Sequence, residues 1–396
     1  MHFAKKFKNS FHLTIWEAII AIAAITVFFI LEKVVYHDVE HAPTFLIIFG
    51  FVVGIWLAFR PSEWAVEGLN SGAKYAGLSE YVAGILSSLA SNLPEAVIAI
   101  LLLIEGLQLI AVVTVLSAAG FNAMILGIAI LISTVKNKGQ IAVPEDLEKK
   151  EAPIIRWAIV ALLMTVVFGF IEYFQVDQLE DALLTKPVAG LLAASYLFYL
   201  IYVIVVKDTN NKISLKNHEE KEKAEEIEEI KKEEENDHES KERLPVYLTI
   251  ILLILGFVGI YFGGETLTWG VMELMEGGGS GIGQIGFALI LGAAGAVPEH
   301  GIAIISAAKD NIEVGIGNAM GGILQSSLLI FGILGIFVSI TLHPFILLQI
   351  AAIAGSLWFV KRCIQDKKFD TFEGIMIILL QVLVFVILFE DIAFFA

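Results

Sequence analysis

Two stretches decide the fold: ASNLPEAVIAI at residues 90–100 and AGAVPEHGIAI at residues 294–304. Both contain P-E-x-x-I-A-I, and Pro94-Glu95 and Ile98-Ala99-Ile100 lie over Pro298-Glu299 and Ile302-Ala303-Ile304 at one offset of 204 residues. Without a gap the same offset carries Asn122 onto Ser326, so the match covers two consecutive apolar segments rather than one chance word. The chain is therefore an internal duplication.

Working outward, 57% of the 396 residues are hydrophobic, 17% are charged and the mean hydropathy is +0.79, which is too apolar for an ordinary soluble protein. A spanning helix needs about 20 mostly apolar residues. Hydropathy predicts eleven such spans, at 14–36, 43–59, 78–104, 108–134, 153–175, 183–206, 245–262, 281–307, 312–338, 344–361 and 371–394. The runs are continuous rather than alternating, which excludes an outer-membrane barrel. The expected fold is an all-α polytopic membrane protein, with residues 1–42 forming an extra N-terminal helix and residues 43–206 and 244–396 forming two five-helix repeats. Between them, residues 207–243 carry 9 basic and 14 acidic residues, the composition of a solvated linker with no apolar face to pack. The net charge of -16 excludes a nucleic-acid-binding surface. The lone Cys363 excludes internal disulfides and cysteine-based metal clusters, and its neighbours Lys361 and Arg362 suggest a loop flank.

Basic residues set the expected orientation. With the N-terminus cytoplasmic, every inner loop holds some: Lys5, Lys6 and Lys8, Arg60 and Lys74, Lys136 and Lys138, the linker, Lys309, and Lys361 with Arg362. The outer stretches hold Glu40, Glu265, Glu273, Glu276 and Glu390 and almost no lysine or arginine. This places a multi-pass protein in the cell membrane with its C-terminus extracytoplasmic. Five spans per half, an odd number, make the second copy enter from the opposite side, and inverted repeats of this kind build secondary transporters with a site at the repeat interface.

Glu95 and Glu299 fall within apolar spans, where an ionised carboxylate costs at least about 2.5–3.5 kcal/mol. No lysine or arginine is expected in the core of any span, so a bound cation or a proton is the expected partner. Pro94 and Pro298 cannot donate to the carbonyls of Ala90 and Ala294, which frees a backbone oxygen one turn before each glutamate. Ser88, Asn92 and Glu95 share one helical face, with Ser91 a turn before Glu95, whereas serines such as Ser87 and Ser88 also pack or bond their own backbone. Asn122, Gln325 and Ser326 are the polar groups of the following spans, as ligands or as interhelical glue. His300 fits a proton relay, a polar gate or an interhelical hydrogen bonder. No HExxH, Walker-type loop or nucleophile triad appears, so an enzyme and a resident cofactor are not expected.

These motifs, with LSAAGFNAMILG at 116–127 and GIGNAMGGILQSSLLIFG at 315–332, resemble the cation/calcium antiporter superfamily and its two alpha-repeats. The finer resemblance is to the calcium/proton exchanger branch, whose motifs read roughly G-N-x-x-E in both halves, E-H in the second, and a later G-S-x-x-Q. The resemblance implies roles in cation or proton binding for Asn92, Glu95, Asn122, Glu299, His300 and Gln325, with Ser326 at the place of an acidic or amide ligand. Two departures point towards the sodium/calcium exchangers or weaken the ligand set: the proline before each glutamate, and Ala296 where the branch carries asparagine. The expected function is exchange of cytoplasmic calcium for protons, with sodium/calcium or monovalent cation/proton exchange as the alternative and a channel less favoured, since pores usually arise from symmetric rings. Inorganic cations and the bilayer are the expected partners.

Overall fold

The computed structural model describes residues 14–36, 41–77, 86, 88–143, 147–148, 152–175, 183–202, 244–276, 283–309 and 312–395. The linker 207–243 and Ser87 lie outside them, as do the side chains of Val297, Pro298 and Glu299. Among the described residues eight helices are long and apolar enough to cross a membrane, and shorter apolar helices complete the bundle. The chain is an all-α multi-pass membrane protein.

The N-terminal helix α1 (Ile15–Ile30) is capped by Thr14, whose hydroxyl accepts from the Glu17 amide at 3.1 Å, and it ends in a wide turn closed by Tyr36 N–H to Leu31 C=O, five residues back, at 2.9 Å. The first repeat follows as α2 (Thr44–Tyr75), α3 (Leu93–Ile104), α4 (Gln108–Lys136), α5 (Ala152–Gln175) and α6 (Lys186–Tyr202). The second contains α7 (Val246–Glu276), the pair α8 (Gln284–Gly295) and α9 (Val297–Ala308), the pair α10 (Ile312–Leu324) and α11 (Phe331–Phe337), α12 (Pro344–Asp366) and α13 (Thr371–Phe395).

Short strands join the loops: β1 (Gln140–Ala142) pairs antiparallel with β4 (Lys368–Asp370), and β2 (Leu183–Leu184) with β3 (Ile340–Thr341). Among the described residues an even number of spans separates the strands within each ribbon and one span, α5, separates β1 from β2. The ribbons therefore sit at opposite membrane faces.

Packing repeats with the halves exchanged. Helix α2 lies along α7, α4 along α10 and α5 along α12, each against its own counterpart, while α13 packs on α4 as α6 packs on α11. Individual contacts obey the same rule. A methyl group placed at Gly292 would lie 2.8 Å from Ser117 Cβ, and one at Gly321 would lie 2.7 Å from Ser88 Oγ. The 204-residue offset exchanges these two pairs, glycine for serine. The same exchange swaps the two ribbons.

Three expectations are corrected. The spans at 43–59 and 245–262 continue to Tyr75 and Glu276, giving helices of 32 and 31 residues. At 1.5 Å per residue these run about 46–48 Å, longer than a hydrocarbon core of about 30 Å, so they tilt or extend beyond it. Arg60 thus lies inside a span-bearing helix, tolerated because Glu17 Oε1 at 3.0 Å and Glu63 Oε2 at 2.7 Å neutralise it. Glu265 and Glu273 stand on α7 rather than in an outer loop. Finally, α12 continues through Lys361 and Arg362, so Cys363 is a fully buried helical residue donating its thiol to Phe359 C=O at 3.1 Å, not a loop flank.

Candidate cation-binding site

The duplicated motif breaks its helix in both halves. Residues 88–91 are helical, Asn92 interrupts, and α3 restarts with Pro94 in its first turn; α8 ends at Gly295, Ala296 interrupts, and α9 restarts with Pro298 in its first turn. Proline lacks the N–H that a continuous helix would need, but at a first turn that N–H has no intrahelical partner anyway. The break therefore costs little there, and it leaves carbonyls of Ala90 and Ala294 without the proline donor. Glu95 falls in the first turn of α3, where the helix dipole favours negative charge.

Glu95 is 1% exposed and meets the opposite repeat directly. Its Oε2 accepts from Ser326 Oγ at 2.5 Å, and Gly295 lies so close that a methyl group there would come within 2.8 Å of Glu95 Cγ. Around it Asn92 Nδ2 donates to Ser88 C=O at 3.0 Å and, in a short contact, to Gln325 Oε1. Gln325 Nε2 donates to Ser88 Oγ at 3.0 Å. Asn92 Oδ1 is buried and has no donor. Ser91, also buried, donates to Ser88 C=O at 2.8 Å, which commits its hydroxyl proton to its own helix while leaving its lone pairs available. Glu95, Asn92, Ser91, Gln325 and Ser326 thus form one cluster.

Gln325 and Ser326 reach it because Gln325–Ile330 is wound as a π-helical segment between α10 and α11. A wider turn re-aims successive side chains, and such segments are frequent at functional sites. Asn122, fully buried on α4, lies against Gly322, where only glycine leaves room for its amide. His300 stands on α9 with its ring 6.4 Å from that of Phe121, and its buried Nε2 makes no hydrogen bond. The backbone of Glu299 holds the α9 position equivalent to Glu95 on α3.

Two hydroxyls are not singled out by the sequence. The hydroxyls of Thr114 and Ser117, on one face of α4, are fully buried without a hydrogen-bond partner, and Gly292 crosses directly over them. The signal was present as hydroxyl residues one turn apart beside the small run Ala118–Gly120. Ser88, which the sequence offers both as a ligand on the Asn92–Glu95 face and as a packing residue, accepts from Gln325 across the interface.

The halves differ chemically here. The offset that relates them maps Asn92 to Ala296 and Gln325 to Phe121, so an amide pair in one position is replaced by an alanine and an aromatic ring in the other. Oxygen ligands of this hard, uncharged kind around a carboxylate suit a hard cation rather than a soft metal. If a cation binds through this cluster, Ser326→Ala, which removes the hydroxyl beside Glu95 and an interaction with a charged group worth about 1.5–3 kcal/mol, should raise the half-saturating cation concentration roughly 10- to 100-fold. Cation titration of purified variant against wild type measures it.

The sodium/calcium exchanger protein family matches residues 43–205 and 248–390, most of both repeats. Among solved structures the chain is similar to the H+/Ca2+ exchanger CAX at 14% identity and TM-score 0.60, covering 96% of this chain and 92% of that one. It is also similar to YfkE at 16% identity and TM-score 0.59, covering 93% and 99%. A structure of the sodium-calcium exchanger NCX_Mj matches at 18% identity and TM-score 0.56, covering 87% and 99%. No curated protein matches the chain. At these identities the structural likenesses speak for the fold, while the family match spans both broken-helix motifs: the chain belongs to the sodium/calcium exchanger protein family, whose members are transporters and not enzymes.

Proposed function

We propose that this protein exchanges cytoplasmic calcium for protons by alternating access, with residues 43–206 and 244–396 as the two inverted repeats and residues 207–243 joining them on the cytoplasmic side. The observation that carries the reading is the junction at Glu95: a buried carboxylate at a helix interruption, bonded by Ser326 and packed by Gly295 of the other repeat. Motion of one repeat against the other would remake that junction, which is what alternating exposure of a shared site requires.

The repeat offset supplies the second ligand set. It converts Glu95–Ser326 into Glu299–Asn122, and Glu95–Gly295 into Glu299–Ser91. We therefore assign Glu299 as the second carboxylate, with Asn122 and Ser91 as its neighbours, and the carbonyls of Ala90 and Ala294, the free Asn92 Oδ1 and the Thr114 and Ser117 hydroxyls as further oxygens. His300, adjacent to Glu299 in the chain, serves the proton side of the cycle.

Two carboxylates balance one divalent charge. When the ion leaves, bare carboxylates in a low-dielectric site are costly, and two protons restore neutrality without any further charged group. The calcium/proton exchanger CAX shares the fold over nearly the whole chain, which supports protons, whereas the motif prolines and the NCX_Mj likeness support sodium. Three sodium ions would be served better by an additional acidic ligand at the centre. The positive-inside pattern gives the orientation, N-terminus in.

Calcium uptake into proteoliposomes under an imposed pH gradient, with and without a sodium gradient, decides the matter. The expected result is accumulation driven by the proton gradient alone. Uptake driven only by sodium transfers the reading to sodium/calcium exchange, and uptake that merely equilibrates without a counter-ion gradient is the behaviour of a channel.

A further inference from the structure

Away from Glu95, a cavity of about 270 Å³ opens where three helices converge. The turn after α1 contributes Glu32 and Lys33, the end of α3 contributes Glu105, and α7 contributes Glu265, Thr268 and Glu273. On α7 these residues fall at successive turns of one face. We propose that this cavity is an antechamber that binds one hydrated divalent cation, distinct from the Glu95 cluster. The proposal rests on the exchanger reading for the identity of the ion.

Two buried oxygens inside it have no donor. Thr268 is 4% exposed and its hydroxyl makes no hydrogen bond. The Glu32 side chain is 10% exposed, with Oε1 held 2.6 Å from Lys33 Nζ and Oε2 buried and unmatched. A buried carboxylate oxygen without a donor costs free energy unless something positive or hydrogen-bonding fills the space beside it. The backbone places it there: the Leu31–Val35 turn is wound with a five-residue hydrogen bond, which re-aims Glu32 and Lys33 from the face they would take in a regular α-helix.

Charge and size both select the ligand. Four carboxylates against one ammonium leave a formal surplus of three negative charges, and Lys33 is exposed enough for its flexible stem to carry the charge out to water when a cation arrives. Glu273 is fixed by accepting the Ala42 amide at 2.8 Å, while Glu105 and Glu265 are exposed at the mouth. Among the described residues no three carboxylate, histidine or cysteine side chains stand close enough to hold a bare metal ion. A cation taken up here would be held through its water rather than by direct carboxylate ligation. The cavity of about 270 Å³ has room for several water molecules, enough for a cation with its inner shell.

Its position suits a loading step. Glu105, which caps the C-terminal end of α3, follows Glu95 by ten residues, about 15 Å along the axis. Between them Val97, Leu101 and Ile98 close against Gly264 of α7, at 3.0, 3.1 and 3.6 Å from a methyl group built there. An apolar seam thus separates the antechamber from the central site, and a cation would wait hydrated on one side of it and lose water on crossing.

Trp269 lines the same cavity and supplies the assay, because terbium bound beside an indole emits when the indole is excited. Terbium titration of the full chain carrying Glu95→Gln and Glu299→Gln together, with both central carboxylates silenced, should give saturable sensitised emission that calcium displaces and a large excess of sodium does not. Glu265→Gln or Glu105→Gln, both at exposed positions that leave the fold intact, should each weaken terbium binding roughly tenfold. Trp269→Phe should remove most of the emission while calcium binding persists. Unchanged affinity in both glutamine variants, undiminished emission in Trp269→Phe, or displacement by sodium as effective as by calcium would each overturn the antechamber. Exchange by the wild-type protein is measured separately, so a failed antechamber with intact exchange, or terbium binding without exchange, tells the two readings apart.

Discussion

Glu95→Gln should abolish coupled exchange, with initial calcium uptake falling at least about 30-fold, because removing one charge from a buried, hydrogen-bonded charge site costs about 2–5 kcal/mol. The protein should nevertheless fold. Glutamine keeps the shape that fits against Gly295, and its Oε1 can still accept from Ser326 Oγ, so the contact across the repeats survives. What is lost is the ionisable group that alternates between cation and proton, and the fold is relieved of an expensive buried carboxylate. Glu299→Gln should behave alike if the repeats are functionally equivalent. The decisive measurements are uptake in proteoliposomes across pH together with a thermal melt of the same preparation. Near wild-type uptake with an unchanged pH profile would make Glu95 a structural residue and end the proposed mechanism.

Much of this was legible in sequence because the duplication is written in residues with few substitutes. Proline before glutamate at a fixed offset predicts two helix interruptions, and both occur where Asn92 and Ala296 stand. The partners Asn92, Gln325 and Ser326 were legible as in-membrane polar groups, since such groups must find one another. Less was legible where hydropathy and helix geometry part company. Arg60, Pro61, Glu63 and Glu67 read as the end of a span, yet α2 runs through them: Arg60 is paired, and Pro61 packs on Gly259. The π-helical segment at Gln325–Ile330 has no residue signature, because a helix acquires a wider turn from tertiary demands, here the meeting of Gln325 and Ser326 with the first repeat. Thr114 and Ser117 went unremarked because hydroxyls in membrane helices usually bond their own backbone, as Thr165 does to Ala161, and only the structure shows that these two do not.

The second large effect belongs to the scaffold. Helices α2 and α7 approach so closely that a methyl group at Gly263 would lie 2.5 Å from the Ala58 amide nitrogen and 2.8 Å from the Leu57 carbonyl carbon, while one at Gly256 would lie 2.8 Å from the Ala65 nitrogen. In a bilayer, where lipid is as apolar as leucine, this backbone proximity is what drives the pairing, and small residues are its condition. Gly263→Val therefore meets main chain rather than a yielding side chain, and the helices must part along their length. Overpacking typically costs about 1–3 kcal/mol where neighbours can shift, so a clash against backbone should cost at least that much. The expected outcome is a melt lower by several degrees and loss of exchange together, read by heating the detergent-purified variant and measuring the monodisperse fraction. Gly301→Ala is the control, since a methyl group there meets nothing within 4 Å although it lies two residues from Glu299. Its melt should match wild type. A Gly263→Val protein with a wild-type melt would mean that α2 and α7 separate without cost, and the close seam between the repeats would then contribute little to holding them together. The contrast with Glu95→Gln is the useful one: that variant should lose exchange and keep its melt, which separates the residue that handles the ion from the glycines that hold its two halves in reach.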